Sequence, residues 1–126
     1  MKGGYEMTST QKIFALVLGV VLLLVGILGF IGNPLVGDAG YFTTNTTQDI
    51  LHIIAGLIGI WVGTMGSGPG FNISLGWIAL VLGAIGFIPG AKELLLQYLN
   101  INTNITILHV VIGIVTLGVY YMTDKD

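Results

Sequence analysis

Four long apolar stretches divide the chain, separated by short polar or glycine-rich segments. From about Ile13 to Gly32 (IFALVLGVVLLLVGILGFIG) and from about Ile73 to Pro89 (ISLGWIALVLGAIGFIP) there is no charged residue. The stretches from about Ile50 to Met65 and from about Ile105 to Met122 each carry one histidine near the start, His52 and His109, and are otherwise apolar. The hydrocarbon core of a bilayer takes roughly 17–25 apolar residues as helix, so each stretch predicts a membrane-crossing helix. Four such helices in 126 residues would leave a soluble fold almost no polar surface to present to water. Lys2 and Lys12 ahead of an apolar run resemble the start of a signal peptide. That run exceeds the roughly 7–15 residues of a signal core and lacks an A-x-A site, so it is expected to be a helix of the mature protein.

The polar positions between the stretches repeat. Displacing the sequence by 57 residues aligns Ala15–Ile60 with Asn72–Leu117 without a gap, and fourteen positions are identical. Matched leucines and isoleucines are expected between any two apolar helices. The matches Tyr41/Tyr98, Asn45/Asn102, Thr46/Thr103 and His52/His109 are not, and they point to a duplicated two-helix unit. Because each unit crosses twice, both enter from the same face, and the expected fold is an all-α membrane four-helix bundle of two parallel two-helix repeats. The expected divisions are an N-terminal segment 1–12, a first repeat 13–66, a second repeat 67–122 and a tail 123–126.

Helix association in lipid depends on close approach of backbones, which small residues permit. Gly19, Gly26 and Gly29 recur as Gly76, Gly83 and Gly86, Gly56 recurs as Gly113, and Gly59 and Gly63 add a GxxxG spacing, so these ten positions are expected to pack helices. The AKELLLQYLN segment places Leu94, Leu95, Leu96, Tyr98 and Leu99 on and around one face and predicts a short interfacial helix. Its counterpart, NPLVGDAGYF, is rich in Gly and Pro. The loop TMGSGPGFN marks a tight turn.

Composition narrows the chemistry. Hydrophobic residues make up 54% and charged residues 8%, and mean hydropathy is +0.93, which sets the chain outside ordinary soluble domains. Four lysines, no arginine and a net charge of -2 offer no basic patch, so nucleic acid is not an expected partner. The absence of cysteine removes disulfides, iron–sulfur ligation and thiol chemistry. Lys2, Lys12 and Lys125 fall on the side of the termini against Lys92 on the other, so both ends are expected in the cytoplasm. Trp61, Trp77, Tyr120 and Tyr121 then form one aromatic belt, and Phe30, Tyr41, Phe42, Phe87 and Tyr98 the other. Asn45-Thr46-Thr47 and Asn104-Ile105-Thr106 match the glycosylation triplet, which has meaning only in a secretory host.

A glycine-rich helix ending GFIG or GFIPG, a variable loop, an Asn a few residues before the next helix, and a helix opening ILHxxxG together resemble the bacterial membrane family known as domain of unknown function 4383. The second unit, LVLGAIGFIPG through NITILHVVIGI, carries the resemblance best. The family pattern often has a second His and an Asn before this helix and a basic loop between helices two and three. Here Gln48, Asp49, Asn104 and Ile105 stand in the first region, and the basic loop is absent. The resemblance implies a four-helix membrane bundle and no biochemical activity.

His52 and His109 are the candidate cofactor-binding residues, about one turn inside the ends of their helices. An ionisable residue within a span marks a functional site by default, and equivalent imidazoles across a two-fold axis could hold haem b. Near a helix N-terminus the macrodipole disfavours imidazolium, and neutral imidazole could instead pair with Asn45, Asn102 or Asp49. Asp38 and Asp49 could join His52 at a metal, but Leu95 and Thr106 replace them in the second unit, so no metal site is expected. No Ser or Thr sits in a catalytic motif. The expected role is non-enzymatic: a structural or accessory membrane protein, with no cofactor, whose partners are the lipid bilayer and itself or another membrane protein. A bis-histidine haem electron carrier and a small proton or solute channel or transporter are the alternatives.

Overall fold

The computed structural model describes residues 9–125. Helix α1 (Thr10–Leu28) starts where Ser9 Oγ accepts the Lys12 N–H at 3.1 Å, satisfying one of the amides that a helix start leaves unpaired. It ends four residues before the expected Gly32. At Gly29 the coil tightens, and Phe30 and Ile31 donate to the carbonyls of Ile27 and Leu28, three residues back.

After a loop come two two-residue strands, β1 (Val36–Gly37) and β2 (Phe42–Thr43), which pair in parallel. Parallel strands ordinarily need a long crossover. Here one tight coil suffices, because Gly37 adopts φ 149° and a Cβ on Gly40 would meet the Leu35 carbonyl oxygen at 2.8 Å.

Helix α2 (Thr46–Met65) begins before the expected Ile50, because Asn45 Oδ1 accepts the Gln48 N–H at 2.9 Å and draws the polar first turn into the helix. Helix α3 (Pro69–Ile85) begins four residues before the expected Ile73. Proline at its first position loses no hydrogen bond and presets φ. Its end repeats that of α1, with Phe87 and Ile88 donating to Ala84 and Ile85. Helix α4 (Ala91–Leu99) starts where Glu93 Oε1 accepts the Gly90 N–H at 2.6 Å and stops at Asn100 in the left-handed region. Helix α5 (Thr103–Met122) is capped by Asn102 Oδ1, which accepts the Ile105 N–H at 3.0 Å. Thus α2 and α5 are each 20 residues long, and their starts lie 57 apart, the displacement found in the sequence.

Helices α1 and α2 pack along each other as one hairpin and α3 and α5 as another. Contacts between the hairpins are far sparser: α1 meets α3 and α5, and α2 meets α3. Ala15, Leu18 and Phe71 form the buried apolar centre. By length and composition α1, α2 and α5 can cross a membrane, while α3, expected as a full span, is apolar but shorter at 17 residues, or about 26 Å. Outward-facing Val17, Leu24, Leu57, Val81 and Ile114 are half or more exposed, a surface that a water-soluble chain would bury.

Candidate functional site

The matched glycines line the hairpin seams. A Cβ on Gly19 would lie 2.6 Å from the Ile60 nitrogen and 2.8 Å from the Gly56 oxygen, and one on Gly56 would strike the Leu23 backbone at 2.5 Å. Gly26 faces Ile53, and Gly59 faces Gly19 and the Phe71 ring. Gly63 lies on Leu16. In the second hairpin Gly76 meets Leu117, Gly83 meets Val110, and Gly113 meets the Leu80 backbone at 2.6 Å. Gly29 sits under the carboxylate of Asp49, and its counterpart Gly86 sits under Thr106, the residue that replaces that aspartate. All ten glycines therefore face neighbours within this chain.

At the end carrying α4, called here the loop end, the hairpins are tied by amide side chains. Asn45 Nδ2 donates to the Tyr98 carbonyl at 2.9 Å, and Asn102 Nδ2 donates to the Tyr41 carbonyl at 3.1 Å. Donor and acceptor positions are both matched across the 57-residue displacement, so the two bonds are reciprocal. Each asparagine caps its own helix through oxygen and holds the other hairpin's loop through nitrogen. Gln48 Nε2 adds a bond to Leu99 at 2.7 Å, and Asn100 Nδ2 one to Thr44 at 2.9 Å.

Asn33 organises the first loop. Its Nδ2 donates to the carbonyls of Leu28, Ile31 and Val36, while its Oδ1 accepts from the amides of Leu35 and Val36.

At the opposite, termini end, fully buried Gln11 and Asn72 hold three helices. Gln11 Nε2 donates to the carbonyls of Val119 and Tyr120, which the end of α5 leaves free, and to the Thr123 hydroxyl. Asn72 Nδ2 donates to the Gln11 backbone oxygen at 2.9 Å and to Oε1 at 2.8 Å. Nothing in the sequence pattern singled out these two residues.

His52 and His109 lie deeper than expected. Because α2 and α5 start at Thr46 and Thr103, each ring stands about 9 Å from the first residue of its helix. The expected pairing of the rings with Asn45, Asn102 or Asp49 is not found, since both asparagines are engaged by backbone groups. His52 Nδ1 and His109 Nδ1 are buried without a hydrogen-bond partner, as are Thr44 Oγ1, Gln48 Oε1 and Asp49 Oδ1 in the same half. Asp49 is 2% exposed and precedes His52 by three residues, which sets both on one side of α2. His52 and His109 occupy matched positions, each seven residues into its helix, on α2 and α5. Among the described residues no three His, Cys, Asp or Glu side chains converge as a metal site. An apolar groove of about 220 Å³ also opens at the loop end, lined by Tyr41, Phe42, Asn104, Ile107, Leu108 and Val111.

Fold and site together define an all-helical protein with three helices able to cross a membrane and a buried polar group near one end. The family described as Domain of unknown function (DUF4383) matches residues 12–122, and the chain belongs to it. No curated protein and no solved structure matches.

Proposed function

We propose that this chain is an integral, multi-pass protein of the cell membrane that acts as a non-enzymatic structural or accessory component through association with itself or another membrane protein. In this reading α3, with its tightened last turn, crosses along with α1, α2 and α5. The result is a four-helix bundle of two parallel repeats with both termini in the cytoplasm. The reciprocal bonds of Asn45 and Asn102 support the two-fold relation of the repeats.

The observation that carries the association reading is the outer rim. Phe30/Phe87, Ile31/Ile88 and Tyr41/Tyr98 are identical across the repeat, yet every one is more than half exposed. Internal packing does not account for residues that contact so little of their own chain. A headgroup interface and a protein partner both favour such side chains.

The packing glycines are engaged within the chain, so association is expected at this rim rather than through glycine seams. The test is oligomeric state in nanodiscs together with photo-crosslinking from position 41 or 98 in native membranes. A defined protein adduct supports the reading, while a strictly monomeric chain crosslinking only to lipid contradicts it. The bis-histidine haem alternative predicts a Soret band lost in a His52→Ala, His109→Ala variant. The channel alternative predicts proton or solute flux into liposomes that depends on the same residues.

A further inference from the structure

We propose that His52 and His109, with the Asp49 side chain beside them, form a hydrated proton-binding site in the loop-end half of the bundle, the two imidazoles taking up protons through intervening water. The inference does not depend on the association reading. Five side-chain atoms in this half, on Thr44, Gln48, Asp49, His52 and His109, are buried without a partner. Buried polar groups are nearly always paired, and ordered water, each molecule making two to four hydrogen bonds, supplies the partners that the chain itself does not. The seam geometry explains how a carboxylate comes to be there. Gly29, lacking a Cβ, leaves the space on α1 that the Asp49 side chain fills.

The chemistry favours a proton over a metal. The described residues do not bring three ligating side chains together, whereas an imidazole takes up a proton with one nitrogen. Of the helices packed along α2 and α5, α1 brings one titratable side chain, Lys12 at its other end, and α3 brings none. The loop-end segments bonded over the site bring Asp38, Tyr41, Lys92, Glu93 and Tyr98, all of them exposed. On α5 itself the other titratable groups are Tyr120 and Tyr121, at the far end like Lys12. A charge placed on one ring is therefore felt chiefly by the other ring and by Asp49. The second repeat carries Thr106 in place of that aspartate, so the site is asymmetric and the two histidines are inequivalent.

The test is a pH titration of ring-15N-labelled protein in zwitterionic nanodiscs. With only two histidines in the chain, each signal is assigned by one substitution. The expected result is two coupled steps between about pH 4 and pH 9, with the ring N–H protons exchanging with water. His52→Gln and His109→Gln each leave a single step. Removing the partner's positive charge moves the lower wild-type step upward by on the order of one pH unit. Asp49→Asn removes a negative charge and moves the His52 step downward.

Rings that titrate independently of each other and of residue 49, that do not titrate in this range, or that show no water contact overturn the proposal. Backbone spectra verify the fold of each variant. Since the measurement runs from either ring, one folded His→Gln variant is sufficient for the coupling, and Asp49→Ser replaces Asp49→Asn should the latter not fold.

Discussion

Replacing Gly19 by alanine should weaken the first hairpin far more than the equivalent change at Gly76 weakens the second. At Gly19 the new Cβ would lie 2.6 Å from the Ile60 nitrogen, 2.8 Å from the Gly56 oxygen and 2.8 Å from the Gly59 carbonyl carbon, all backbone atoms that cannot rotate away. Ordinary contact begins near 3.4 Å, so α1 and α2 must separate locally by roughly 0.5–1 Å, which forfeits a quarter to a half of the dispersion energy of facing atoms.

Overpacking of this kind costs up to about 3 kcal/mol, offset by about 1 kcal/mol from the better helix propensity of alanine. The expected net loss is about 2 kcal/mol. At Gly76 the nearest atoms are Cδ2 and Cγ of Leu117 at 2.7 and 2.9 Å, with backbone only at 3.3 Å. The leucine can change rotamer, and the net effect should be near zero. A Cβ on Gly118 meets nothing within 4 Å, so Gly118→Ala should stabilise by up to about 1 kcal/mol. Reversible unfolding in mixed micelles, followed by circular dichroism and the fluorescence of Trp61 and Trp77, measures all three. Equal losses at positions 19 and 76, or the larger loss at 76, would refute the reasoning.

Asn45→Asp keeps the oxygen that caps α2 but loses the donor to Tyr98, and Asn45→Ala loses both. The alanine variant should be less stable than the aspartate variant by about 1 kcal/mol in the same unfolding assay. Asn33→Ala leaves the Val36 amide and the Leu28 carbonyl without their partner, and should cost about 1–3 kcal/mol, with faster hydrogen exchange confined to the first loop. Gln11→Leu removes one of the two acceptors of buried Asn72 and the donor to the Val119 and Tyr120 carbonyls. It should destabilise the termini end by a similar amount, visible as earlier exchange of the last turn of α5.

The helices were legible because four uncharged stretches in so short a chain have one physical solution, and the 57-residue match located their corresponding turns. Helix ends were read a turn or so out of place. Apolar composition says nothing about a capping asparagine that recruits Thr46–Asp49 into α2, or about the tightened Gly-Phe-Ile turns that stop α1 and α3 early.

The matched Asn45 and Asn102 could be seen, but their second task could not, because the acceptor is a backbone carbonyl in the other half of the chain. Gln11 and Asn72 escaped for a related reason. A polar residue at the start of an apolar helix looks like solvent-facing punctuation until another helix end is found to close over it. Asp49 was visible as an acid before the second apolar stretch, but its burial depends on Gly29 in another helix.

Sidedness tests the account most directly, and a chain without cysteine is suited to it. Single variants Ser67→Cys, Glu93→Cys and Asp124→Cys, all at exposed positions, would be treated with a membrane-impermeant thiol reagent before and after permeabilisation. A protein crossing the membrane four times labels at 93 from outside, and at 67 and 124 only once the membrane is opened. If 67 and 93 label from the same side, α3 does not cross and the proposed bundle of parallel repeats is wrong.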